Sequence, residues 1–96
     1  MEDIVYYNEL YDLYGELLTE KQKKYFEDYY CHNLSFSEIA ENYGVSRNAA
    51  FKQIHNVTDK LKEYEEILQL KSKKEKIMNL IKNCDVDIKN KIEDLL

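Results

Sequence analysis

Apolar side chains recur at helical spacing between Leu34 and Ile54, in two short runs separated by small and capping residues. Ser35 followed three residues later by Glu38 is a capping box, which predicts a helix that begins near Phe36. Gly44 can adopt the positive φ of a helix C-terminus, so this helix is expected to end there. Its apolar face consists of Phe36, Ile39, Ala40 and Tyr43.

A second helix is predicted to begin after Ser46, which is a common N-cap residue. Its buried seam is expected to consist of Ala50, Ile54, Val57 and Leu61. Ala40 is small enough for the two helices to cross closely, and Val45 is expected to fill the angle between them. Together these features predict an all-α fold with a helix-turn-helix. The alternative is an ordinary helical corner, which the joint match over about twenty residues disfavours.

The outward face of the second helix carries the candidate nucleic-acid-binding residues, which are Ser46, Arg47, Asn48, Phe51, Lys52 and His55. This is the part of a docked helix-turn-helix that meets phosphates and base edges. Arg47 and Lys52 can contact phosphates or guanine, and Asn48 can read adenine. Phe51 can touch a thymine methyl group or stack on a base, but an exposed phenylalanine suits a protein interface equally.

An N-terminal helix is predicted from apolar residues at helical spacing, namely Ile4, Tyr7, Leu10, Tyr14 and Leu17. Tyr6, Tyr11 and Leu13 widen this stripe, so the helix is expected to be buried on more than one side. It must then pack between the helix-turn-helix core and something further. The two candidates are the C-terminal helices and a second copy of the chain.

The next helix is predicted to open with a second capping box, formed by Thr19 and Gln22. It is expected to end around His32 and Asn33. Its aromatic stripe is expected to belong to the core and not to stack on bases, because a small helical domain needs such rings inside. The stripe consists of Tyr25, Phe26, Tyr29 and Tyr30.

Beyond the motif, the apolar seam continues in steps of four and three through Tyr64 and Leu68 without a helix-breaking residue. This pattern predicts one helix from Ser46 to Leu70, about 37 Å long at 1.5 Å per residue. Ser72 is expected to cap a further helix, and Asp85 or Asp87 a last one.

The composition of the chain favours one all-helical domain. It has 96 residues, no proline and two glycines. We expect a single domain over residues 1–96, with the helix-turn-helix core at about 19–62 and a helical extension at about 63–96. No apolar run is long enough to cross a membrane and no targeting pattern is present, so a cytoplasmic protein without membrane insertion is expected.

The charge of the chain is uneven along its length. The net charge is −5, and residues 1–18 hold five acidic residues and no basic one. Residues 46–62, in contrast, hold four basic residues and one acidic residue. A local positive field of this kind can steer a polyanion to one face. Residues 71–76 (KSKKEK) form a second basic cluster, for which a solvated charged face is an equally good interpretation.

The sequence contains no pattern that predicts an enzyme or a cofactor site. No nucleophile is spaced with a histidine and an acid, and no glycine loop could hold phosphates. Cys31 and Cys84 are far apart without a CxxC pattern, so they are expected to be separate buried thiols. No metal site is expected, because Cys31 and His32 are adjacent and His55 lies on another element.

A family resemblance is carried by LLTEKQKKYFEDYY, LSFSEIAENYGVSRNAAFKQI and KLKEYEEIL. Together they resemble the YlxM family of small bacterial helix-turn-helix proteins, whose fold is similar to region four of sigma factors. The resemblance implies a regulatory protein associated with the GTPase or the RNA of the signal recognition particle. Sigma-like recognition helices usually carry basic residues where this chain has Phe51, Gln53 and Asn56, so this helix is poor in positive charge.

Two classes of function therefore remain open. In the first, a homodimer presents two recognition helices to DNA or structured RNA. In the second, the helix-turn-helix is a scaffold that binds protein without contacting nucleic acid. A homodimer is expected because the N-terminal helix and the seam from Leu61 to Leu70 carry more apolar surface than a small monomer easily covers.

Overall fold

The computed structural model describes residues 3–96, which form six α-helices and a short 3-10 turn at Gly15–Leu17. The helices are α1 (Ile4–Tyr14), α2 (Glu20–Tyr30), α3 (Phe36–Tyr43), α4 (Arg47–Leu68), α5 (Leu70–Ile81) and α6 (Val86–Leu95). These residues contain no β-strand, and the predicted all-α class is confirmed. The first two residues of the predicted domain lie outside the described residues.

Both predicted capping boxes are present. At the start of α2, the Thr19 hydroxyl accepts a hydrogen bond from Gln22 N–H at 3.1 Å, and the Gln22 side chain accepts one from Thr19 N–H at 2.9 Å. At the start of α3, Ser35 and Glu38 make the same reciprocal pair at 3.1 and 2.9 Å. Two of the first N–H groups of each helix are thus satisfied locally, and so these starts are readable from sequence.

The turn between α3 and α4 is closed by backbone hydrogen bonds. Gly44 has φ of 66°, and Val45 N–H donates to the Ala40 carbonyl at 3.0 Å. Ser46 then caps α4, because its hydroxyl accepts from Ala49 N–H at 3.0 Å. Val45 is 39% exposed, so it fills the angle between the helices only in part.

Helix α4 is central and contacts α1, α2 and α3. All four residues of its predicted seam are fully buried. The predicted aromatic stripe of α2 is core, with Tyr29 half-buried. The core consists of Tyr7, Leu10, Tyr14, Leu18, Tyr25, Phe26, Tyr30, Ile39, Ala40, Ala50, Ile54, Val57 and Leu61.

Helix α1 is covered within the chain. Its buried side packs against α4, and α5 also contacts it, so the C-terminal helices provide the second covering surface. Ile4 and Leu17, the two ends of the predicted stripe, are more than half exposed. Leu17 leaves the stripe because the α-helix ends at Tyr14 and the 3-10 turn follows. No helix within residues 3–96 has the length and apolar character needed to cross a membrane.

The predicted single helix from Ser46 to Leu70 is wrong at its C-terminal end. Helix α4 ends at Leu68, and Gln69 adopts φ of 56°. The next helix begins at Leu70, so the prediction that Ser72 caps it is also wrong. We call this bend between α4 and α5 the elbow.

The elbow is capped by side chains from elsewhere in the chain. The Tyr14 hydroxyl donates to Glu65 Oε1 at 2.6 Å and accepts from Leu70 N–H at 3.0 Å. Glu65 Oε1 also accepts from Lys71 N–H at 3.0 Å, and Glu65 Oε2 accepts from Ser72 N–H at 3.2 Å. Three N–H groups of the first turn of α5 are therefore satisfied without a local N-cap residue.

The C-terminal helices pack loosely. Asp85 caps α6 as predicted, accepting from Asp87 N–H at 2.9 Å, but no residue of α6 is buried. The two cysteines are unpaired, as expected, but the prediction that they are buried is wrong. Cys31 follows the last residue of α2, and Cys84 lies in the connection between α5 and α6, where neighbouring helices do not cover them.

Candidate nucleic-acid interface

All six predicted residues of the binding face are exposed. They lie at the start of α4, and a helix rotates by about 100° per residue. Arg47, Asn48, Phe51, Lys52 and His55 therefore fall within an arc of about 140° on one side of the helix. The buried seam of α4 faces α1, α2 and α3, and Asn48, Lys52 and His55 are turned away from it. Arg47 is in line with the buried Ile54 and is exposed because it is the first residue of α4.

Ser46 contributes to this face as the N-cap residue of α4. Its hydroxyl is engaged by Ala49 N–H, so it fixes where α4 begins and which side chains follow. The first turn of α4 contains no acidic residue. The N–H groups and the positive end of the helix dipole therefore face solvent without a neutralising carboxylate in that turn.

Among residues 3–96, the two cations of the face have no carboxylate partner. The Arg47 guanidinium lies 5.6 Å from the ring centroid of Phe36, a cation–π contact that holds it beside α3. Lys52 is exposed on the next turn. Within residues 3–96, no ion pair involves Arg47 or Lys52. Both charges are therefore available to a ligand.

Aromatic rings from α2, α3 and α4 support the face from beneath. Tyr29 stacks on Phe36 with ring centroids 4.7 Å apart, and Phe36 meets Phe51 edge-to-face at 5.2 Å. Phe51 in turn stacks on His55 at 5.8 Å. We call these four residues the aromatic ladder. Phe51, at its outer part, is 39% exposed, so it is both a packing residue and a surface residue.

Sequence reasoning missed Tyr29 and Phe36 as parts of this site. The sequence predicts Tyr29 as a core residue and Phe36 as part of the apolar face of α3, and both are half-buried. An available signal was the position of Phe36 immediately after the N-cap of α3, where a side chain lies at the edge of the helix pair. Its ring carries Arg47 on one side and Phe51 on the other.

His55 is the least available residue of the face. Its Nε2 lies 3.5 Å from Asp59 Oδ2, so a protonated His55 already has a carboxylate partner one turn away. The cationic part of the face is thus confined to the first two turns of α4, at Arg47 and Lys52. Among residues 3–96, no three histidine, cysteine, aspartate or glutamate side chains are grouped to hold a metal ion.

Helix α3 is anchored beside α4 by a hydrogen bond to α2. The Tyr43 hydroxyl donates to Asp28 Oδ2 at 2.6 Å. This hydrogen bond, together with burial, raises the pKa of Tyr43 to about 12, so its hydroxyl stays a donor through the physiological range. The Tyr43 ring also stacks on Tyr25, with centroids 4.5 Å apart. Both contacts hold α3 against α2, and α2 also contacts α4.

Two helices that cross at a three-residue turn, with the second presenting a polar and basic face, define a helix-turn-helix protein. Residues 1–95 match the UPF0122 family, described as "Putative helix-turn-helix protein, YlxM / p13 like". The chain belongs to this family, and the predicted resemblance is confirmed.

Bacterial relatives support this membership. A UPF0122 protein of Halalkalibacterium halodurans is 49% identical over 69 residues, which cover 72% of this chain and 63% of the relative. One of Shouchella clausii is 45% identical over 74 residues, covering 77% and 68%. One of Mycoplasma capricolum is 38% identical over 87 residues, covering 91% and 77%. The matched segments thus leave part of each relative uncovered.

Proposed function

We propose that this chain binds DNA or structured RNA through the first two turns of α4, as a non-enzymatic regulatory protein of the cytoplasm. The observation that carries the proposal is the pair of exposed cations without carboxylate partners, Arg47 and Lys52, on one face with Asn48. Such a face is what a docked recognition helix presents to phosphates and base edges.

Four residues of the face contact nucleic acid in this proposal. Arg47 and Lys52 contact backbone phosphates, and the N-terminus of α4 adds its dipole to theirs. Asn48 is suited to reading adenine in the major groove. Phe51 contributes apolar contact, for which the thymine methyl group is the matching feature of DNA.

Two cations give modest affinity, and so we propose that the chain acts as a homodimer. A dimer doubles the number of phosphate contacts and presents two recognition helices to two half-sites. The net charge of −5 acts against non-specific binding elsewhere on the surface, because most of the body repels a polyanion. Binding is then directed to the basic clusters, and we assign it to the start of α4 because that is the part of a helix-turn-helix that docks on nucleic acid.

The resemblance to the YlxM family extends the proposal to the signal recognition particle pathway. An α-helix enters the major groove of B-DNA, whereas the major groove of A-form RNA is too deep and narrow to be read. If the target is the RNA of that particle, α4 must contact phosphates and unpaired bases. Phe51 would then stack on a base in place of touching a methyl group.

The second candidate function is a protein-binding module that uses the helix-turn-helix as a scaffold. It is favoured by the 39% exposure of Phe51 at the outer part of the aromatic ladder. An exposed aromatic ring within a well-packed support is typical of an interface anchor. A protein partner of this kind would bind with weak dependence on salt.

Crosslinking in the native cell tests the proposal. The tagged chain is irradiated, purified under denaturing conditions and assayed for attached DNA and RNA. We expect Arg47→Ala with Lys52→Ala to reduce the recovered nucleic acid severalfold. The matched control is Lys21→Ala with Lys24→Ala, which removes the same charge from exposed positions of α2. Equal recovery from both double variants would contradict the proposal.

A further inference from the structure

The connected helices α5 and α6, which we call the C-terminal hairpin, carry apolar surface that the chain does not cover. Leu80 is 81% exposed, Ile88 51% and Leu95 85%, and α6 has no buried residue. A ten-residue helix in water is marginal without a packed face. The order of α6 therefore requires a covering surface beyond what α5 provides.

The apolar residues of α6 other than Val86 lie on one side of that helix and are only partly covered. Ile92, between Ile88 and Leu95 on this side, is half-buried, and on α5 Ile81 is buried and Ile77 half-buried. Ile88 and Leu95 are seven residues apart, and thus lie on one line of α6. Val86 points to the other side, because two residues correspond to a rotation of about 200°.

The charges of the C-terminal hairpin are complementary to each other. On α5, Lys73, Lys74 and Lys76 are exposed, while Lys71 is paired with Glu9 and Glu75 within the chain. Residues 85–94 hold four acidic residues and two lysines. A two-fold dimer brings the same surface of both copies together, so it requires a surface that complements itself. An apolar stripe with one basic helix and one acidic helix meets this requirement, because α5 can face α6 of the other copy.

We infer that the open face of the C-terminal hairpin binds the hairpin of a second copy of this chain, forming a four-helix bundle. This inference rests on the proposed homodimer and identifies its contact surface. It differs from the surface expected from sequence, because the main apolar residues of α1 and Leu61 are buried within the chain itself, although Leu68 and Leu70 at the end of the expected seam are 41% and 42% exposed. The recognition helices then lie outside the dimer contact, free to bind nucleic acid.

Mass in solution, measured by sedimentation equilibrium at tens of micromolar, tests this inference. We expect the full chain to be a dimer. Ile88→Glu with Leu95→Glu should raise the dimer dissociation constant by about a hundredfold or more, because the interface would then bury carboxylates without partners. The matched control is Val86→Glu, a substitution of a 67% exposed residue on the opposite side of α6, which should leave the dimer intact. A monomeric parent chain would overturn the inference.

A variant could lose the dimer simply because it unfolds. Two charge-reversal variants that restore the dimer when mixed distinguish this case from a disrupted interface. Lys73→Glu with Lys76→Glu reverses two exposed charges beside Leu80, and Asp87→Lys with Asp94→Lys reverses two exposed charges beside Ile88 and Leu95. Each variant alone should be mostly monomeric, and an equimolar mixture should form a heterodimer. Failure of the mixture to dimerise, or full dimers of each variant alone, would overturn the inference.

The nucleic-acid proposal is tested separately from this surface. If the monomeric Ile88→Glu with Leu95→Glu variant still crosslinks to nucleic acid, α4 binds nucleic acid without the dimer. The dimer surface is judged separately, from the mass in solution. Conversely, a parent chain that dimerises through the hairpin, as the variants show, but does not crosslink to nucleic acid would support the hairpin contact and contradict nucleic-acid binding.

Discussion

Gly44 adopts φ of 66° at the point where α3 ends and the chain turns toward α4. A Cβ atom built there would meet no atom within 4 Å, so a substitution there is opposed by the backbone conformation and not by a clash. The crossing of the two helices, and with it the direction of the binding face, depends on this one conformation.

We expect Gly44→Val to lower the free energy of unfolding by about 1–3 kcal/mol, because a β-branched residue resists positive φ. Gly44→Asn should cost less, since asparagine tolerates this region and the space is open. Urea denaturation measures both. If Gly44→Val unfolds like the parent but loses nucleic-acid binding, Gly44 is a contact residue and the assigned crossing is misplaced.

Ala40 is the second residue that sets the crossing, and it is 5% exposed in the core. We expect Ala40→Leu to destabilise the fold by about 1–3 kcal/mol, because added methyl groups must displace well-packed neighbours. Ala40→Ser, which changes the volume little, is the control for position. Thermal melts that are identical for Ala40→Leu and the parent would show that the helices do not cross closely at this residue.

At the scale of elements, local signals predicted helix starts well and failed at the elbow. The starts of α2, α3, α4 and α6 were readable because the capping group lies within three residues of its partner. The end of α4 was not, because Tyr14 and Glu65 are 51 residues apart in the chain. Periodicity describes one helix at a time and cannot show a cap supplied by another helix.

The candidate site likewise contains residues that local spacing predicted and contacts that it could not predict. Exposure of Asn48 and Lys52 followed from the spacing of the α4 seam. Exposure of Arg47, which is in line with the buried Ile54, follows from its place at the start of the helix. The aromatic ladder did not, because it joins rings from three helices. The support of Arg47 by Phe36 is likewise a contact between helices that no spacing within α4 indicates.

Glu65 links the elbow to pH. Burial alone would raise the pKa of Glu65, but hydrogen bonds from the Tyr14 hydroxyl and from the N–H groups of Lys71 and Ser72, with the Lys71 charge, lower it overall. Because the folded pKa is below the ordinary value of 4.5, the stabilisation is fully present above that value and is lost as pH falls through the folded pKa.

We therefore expect Glu65→Gln to be less stable than the parent near neutral pH, with a difference that shrinks as the pH is lowered to about 3. Tyr14→Phe should weaken the elbow as well, since it removes both the donor to Glu65 and the acceptor for Leu70 N–H. Urea denaturation at several pH values measures this. A stability difference for Glu65→Gln that does not change with pH would show that the carboxylate is not ionised in the elbow.

At the scale of the whole molecule, an acidic chain carries a small cationic face at the start of α4, a basic cluster on α5 and an apolar surface at the C-terminal hairpin. The structure measures 53 × 25 × 23 Å, so it is elongated. Spatial separation of the apolar surface from the cationic face allows a dimer to form without covering α4. Charge placement, more than net charge, then determines where a polyanion docks.

The salt dependence of nucleic-acid affinity tests the central claim, that Arg47 and Lys52 bind phosphates, most directly. Affinity of the purified chain for its crosslinked nucleic acid is measured over a range of salt concentrations, alongside Arg47→Ala with Lys52→Ala. We predict that the double variant folds normally, binds much more weakly and has a shallower log–log slope, by up to about one unit per lost phosphate contact and protomer. An unchanged affinity and slope would contradict the claim and favour α4 as a protein-docking surface.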